Sequence, residues 1–144
     1  MEEHLSYELK MLMLLYNRLF ELPENNKSPE NNDSTFLKNI YLENTLLHLR
    51  VLIEFFFSLD NGYDNIKAND YSENFNPNCR EIMKCVRKRI SGEIVHLGKK
   101  RSSDEIEKDW SCLLEVIPLL LYIAKDFIEL NEIKNEIDKG KMPK

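Results

Sequence analysis

The chain has 144 residues, 42% hydrophobic and 31% charged, with a formal net charge of −5. That length fits one domain with a buried core, and that mix excludes a disordered polymer. With only 4 glycines and 5 prolines there are too few turn residues for many short strands, which points to a few long helices.

The first predicted helix runs from about Glu3 to Glu21. Leu5, Leu9, Leu12, Tyr16, Leu19 and Phe20 recur at spacings of three and four and give one apolar stripe. Pro23 stops it, and residues 22–33, rich in asparagine, read as a flexible loop. Ser34 suits the N-cap of a second helix from Thr35 to about Ser58. From Leu46 to Phe57 only His48, Arg50 and Glu54 interrupt an apolar run. A helix apolar on nearly every side is central to its bundle or lies in a dimer interface. A homodimer is therefore expected.

Residues 60–77 form a second flexible loop, long for a bundle connection. With Tyr63, Tyr71 and Phe75 it is expected to fold over an edge or a cleft. The third predicted helix runs from about Asn78 to Leu97. Its stripe is Cys79, Ile82, Met83, Val86, Ile90, Ile94 and Leu97, and Gly98 stands where a left-handed cap belongs. The fourth opens on Ser102 and Glu105 in capping-box spacing and continues through Trp110, Leu113, Leu114, Ile117, Leu121, Ala124 and Phe127. Pro118 should kink it, because proline lacks the amide donor and crowds the carbonyl of Leu114. The tail after about residue 137 reads as frayed. The expected fold is all-α, a compact antiparallel bundle of four main helices in one domain.

The acidic start, Met1-Glu2-Glu3-His4, lacks the basic and apolar parts of a signal peptide. No apolar run approaches the roughly 20 residues of a membrane helix. Cys79, Cys85 and Cys112 contain no CxxC pair, and an odd number of cysteines without an export signal suits reduced thiols, read here as small buried hydrophobes. A cytoplasmic protein without membrane contact, metal or cofactor is expected.

Charge is uneven. Residues 80–101 carry +6, which leaves −11 for the rest of the chain. Such asymmetry marks either an anionic partner or a solvated helix face. Within this segment Arg89, Glu93, His96 and Lys100 are spaced four, three and four. On a continuous α-helix Arg89 and His96 differ by only about 20° around the axis. An imidazole can exchange a proton with a 2′-hydroxyl near neutral pH, and a guanidinium can hold the phosphate.

The stretch Arg89-Ile90-Ser91-Gly92-Glu93-Ile94-Val95-His96 resembles the arginine–histidine motif of HEPN domains, small all-α bundles. Many of these are metal-independent ribonucleases of toxin–antitoxin and defence systems that form a shared cleft by dimerising. The resemblance implies that Arg89 holds phosphate, that His96 moves a proton, and that Lys99, Lys100 and Arg101 contact RNA. Ile90 departs from the polar residue usual after the arginine. A second likeness is to uncharacterised bacterial helical proteins. It rests on the segment from His48 to Phe56 and on the segment from Ile94 to Arg101. It implies that Glu43, His48, Arg50, His96 and Arg101 gather in one pocket, with Glu93 in support.

Structural readings compete with these. His96 can serve as a helix-end cation. Arg50 and Glu54, four apart, can form an ion pair. The alternative to an RNA-directed enzyme is a non-enzymatic helical module that binds a protein partner, such as an accessory or antitoxin-like subunit.

Overall fold

The computed structural model describes residues 2–21, 32–59, 66–92 and 111–138. The fold class is the expected one: all-α, built on four main helices, with no strand among the described residues. Helix α1 is Glu2–Glu21, α2 is Asn32–Phe57, and α3 is Arg80–Ile90. The last main helix is divided into α4, Ser111–Leu114, and α5, Val116–Asp138. The break falls where proline chemistry requires it. Pro118 has no N–H, and its ring crowds the carbonyl four residues back, at Leu114.

The chain forms two compact units. One holds Met1–Leu52 with Lys88–Lys108, and the other holds Ile53–Arg87 with Asp109–Lys144. The division passes through α2. In the first unit α1 buries Leu5, Leu12, Leu15 and Leu19, and α2 buries Leu46, Leu49 and Leu52. The stripe of α1 is rotated from its expected position. Leu15 is buried, whereas Phe20 is 69% exposed and stacks edge-on against Tyr16 at 4.9 Å. Leu15 and Phe20 are five positions apart, so they lie about 140° apart around the helix and cannot share one stripe.

Helix α2 starts at Asn32, so Ser34 lies inside it rather than capping it. A capping signal places a helix start only to within a residue or two, and here the hydrogen-bonded backbone starts two residues before Ser34. Nor is α2 buried on all sides, since Leu47 and Val51 are 39% and 47% exposed.

The second unit is centred on aromatic rings. Phe127 meets Phe75 at 5.0 Å, Phe55 at 5.6 Å and Phe56 at 5.7 Å, each near edge-to-face. Phe75 reaches this cluster from the segment expected to be a loop folding over an edge. A 3₁₀ turn at Ala68–Asp70 shapes that segment, and the Asp70 carboxylate accepts the Lys67 N–H at 2.8 Å. The start of α3 also differs from expectation. Cys79 lies before the helix with φ 72°, and Ile82 is 52% exposed. Met83, Val86 and Ile90 are buried as expected. Cys85 and Cys112 are exposed, so they are not the buried hydrophobes that the composition suggested. They lie outside the buried apolar rows of their helices.

Arg80 closes the end of α2. Its guanidinium donates to the carbonyls of Phe57 at 2.5 Å and Ser58 at 3.4 Å, while Ser58, at φ 49°, donates its N–H back to Glu54 O. A cation on the last carbonyls satisfies orphan acceptors and offsets the negative end of the helix dipole. Arg80→Ala should therefore destabilise by about 1–2 kcal/mol in urea unfolding. A change within experimental error would show that water replaces the guanidinium without cost.

Candidate functional site

The basic third helix supplies less free charge than its sequence suggests. Arg80 caps α2, as above. Arg87 forms an ion pair through Nε with Glu54 Oε1, with side chains 20% and 18% exposed. Arg89 is half-buried and already engaged. Lys84 and Lys88 are exposed. Regular α-helix ends at Ile90, and Ser91 and Gly92 continue it in π-helical form. The extrapolation from Arg89 to His96 thus crosses a change of helix type. Glu93, His96, Lys99, Lys100 and Arg101 lie outside the described residues, as do Ser102 and Glu105 of the expected capping box.

The supporting pocket can be followed on α2. Glu43 is exposed, and His48 and Arg50 are half-buried. Glu43 and Arg50, seven apart, share one flank of the helix, while His48 is about 140° around from Glu43. His48 turns instead to α1. Its Nδ1 is 2.6 Å from Glu8 Oε2, and its ring is edge-on to Tyr7 at 6.2 Å. Glu54 pairs with Arg87 rather than with Arg50, which corrects the expected pair. Arg50 Nε is buried without a hydrogen-bond partner among the described residues. Sequence reasoning missed Glu8 and Arg87 as partners because they come from other helices, 40 and 33 positions away. No local spacing could signal them.

The feature that stands out is apolar. Phe36 is 68% exposed, Ile40 38%, Leu47 39% and Val51 47%. At about 100° per residue these four fall within roughly 60° of one another around α2. They form a single solvent-facing row on the helix. Its polar positions are Glu43 and Asn44, both exposed, and Asn44 donates its amide to Ile40 O at 2.7 Å. The opposite side of the helix is the buried row of Leu46, Leu49 and Leu52, with Thr45 satisfied by the carbonyl of Tyr41 at 2.6 Å.

Among the described residues no group of three or more His, Cys, Asp or Glu side chains could hold a metal ion. No helix among them is long and apolar enough to cross a membrane. Comparison with protein-family models, curated proteins and solved structures gave no match.

Proposed function

We propose that this chain is a non-enzymatic helical module that acts by binding protein through the solvent-facing side of α2. The observation that carries this reading is the row of Phe36, Ile40, Leu47 and Val51 on one face of one helix. Single exposed apolar side chains are ordinary, but an aligned row of four along about four turns is the kind of patch that a partner covers. Such a role suits an accessory or antitoxin-like subunit. The test is the native size of the tagged chain in an extract of its own cells. Wild type should elute well above its 17.1 kDa chain mass, and Ile40→Lys should shift it down. Elution of wild type at the chain mass would overturn the reading.

A HEPN-type ribonuclease or RNA-binding protein is the second reading. It is favoured by the π-form turn at Ser91–Gly92, which begins two positions after Arg89, since such turns often mark functional sites. In this reading Arg89 holds phosphate, His96 transfers the proton, and Lys99, Lys100 and Arg101 add salt-sensitive contacts. Single-stranded RNA would then be cut by wild type in the presence of a chelator and spared by His96→Ala and Arg89→Ala. RNA left uncut by wild type rejects the catalytic form.

A further inference from the structure

We infer that the exposed face of α2 pairs antiparallel with the same face of a second copy of this chain, about a two-fold axis beside Glu43 and Asn44. This deepens the protein-binding reading and rests on it. The first argument is spacing. Phe36, Ile40, Leu47 and Val51 are separated by four, seven and four positions, a pattern that reads the same in both directions. A two-fold contact needs that property, because residue i must meet j while j meets i. With the axis between positions 43 and 44, Phe36 opposes Val51 of the second copy and Ile40 opposes its Leu47. The one aromatic ring of the row thus meets the smallest of its four side chains, and two similar side chains meet nearer the axis.

The second argument is charge. Glu43 and Arg50 lie on one flank of the apolar row. Side chains on a helix lean toward its N-terminus. In an antiparallel pair the two leans are opposed. Arg50 of one copy and Glu43 of the other, about 9 Å apart along the axis, therefore lean toward each other, twice per dimer. A parallel pair would set Arg50 level with Arg50. Arg50 is half-buried, with its Nε covered and without a hydrogen bond among the described residues of its own chain, so it is the outer part of the guanidinium that would meet Glu43, which is exposed. The pairing also brings the two Glu43 carboxylates near the axis, each facing an arginine of the opposite copy.

The experiment uses the purified full chain. Analytical ultracentrifugation at tens of micromolar should give twice the 17.1 kDa chain mass. Ile40→Lys should raise the dissociation constant at least about thirty-fold with helicity unchanged, since the position is already solvent-facing. Glu43→Arg should weaken the dimer, and the double exchange Glu43→Arg with Arg50→Glu should recover it. Register is read by trapping in a background with Cys79, Cys85 and Cys112 changed to serine. Mild oxidation should link Ile40→Cys to Leu47→Cys when the two variants are mixed, and neither variant alone. A monomer at these concentrations, or a disulfide in the Ile40→Cys variant alone, would overturn the proposal. A pure monomer together with a larger Ile40-dependent assembly in cell extract overturns the second copy and leaves the protein-binding reading standing. Chain-mass elution in both settings removes both.

Discussion

Replacing Phe127 by alanine is expected to cost about 3–5 kcal/mol of unfolding free energy. The ring is 1% exposed and is the common neighbour of Phe55, Phe56 and Phe75. Removing it deletes buried apolar area and three edge-to-face contacts. It also leaves a void, because the three surrounding rings are rigid and are held by two other segments, Phe55 and Phe56 by α2 and Phe75 by the stretch before α3. Interiors pack too densely to collapse fully around such a loss. Against a typical total stability of about 5–15 kcal/mol, the variant should be near the edge of folding. Urea titration should show a much lower midpoint with little change in slope. Phe127→Leu should cost clearly less, since it retains most of the volume. A loss below about 1 kcal/mol for the alanine variant would mean that the ring cluster is not a core.

The second large effect is expected at Glu54. Its carboxylate and the Arg87 guanidinium are both mostly buried and paired. Truncating one member strands the other charge away from water, so Glu54→Ala should cost about 3 kcal/mol. Replacing both, as Glu54→Leu with Arg87→Met, should cost much less than the two single changes combined. Such a pair costs desolvation energy even when it is made, and apolar side chains of similar volume do not. The cycle is measured by chemical denaturation. Additive losses would show that the two side chains act independently.

These energetics rest on contacts of unequal legibility in the sequence. The interruption near Leu114 was legible because proline acts on the carbonyl four residues back, a purely local effect. The ends of α1 were legible for the same reason, from Pro23 and the leucine spacing. The orientation of α1 was legible in part, since Leu5, Leu12 and Leu19 of the expected stripe are buried. Its edge was not: Leu15 and Phe20 are both apolar and flank the stripe on different sides, and nothing local says which of the two meets the core. Likewise Glu54 has a cation four residues away in Arg50, and sequence spacing favours that neighbour. Burial against α3 brings Arg87 instead. The Arg89–His96 constellation assumed one continuous α-helix; regular α-helix runs to Ile90, and Glu93 and His96 lie outside the described residues. The apolar excess of α2 was legible as composition. Its position was not, because the expected all-round run, Leu46 to Phe57, resolves into buried positions and a separate exposed row that begins earlier, at Phe36.

The most direct measurement is photo-crosslinking in living cells from a photoreactive residue in place of Leu47, with one in place of exposed Lys10 on α1 as control. A face that binds protein gives a discrete protein adduct from position 47. That adduct disappears when Ile40→Lys is added, and position 10 gives far less of it. The mass of the adduct reports whether the partner is a second copy. No protein adduct from position 47, or equal yields from positions 47 and 10, would contradict a binding role for α2.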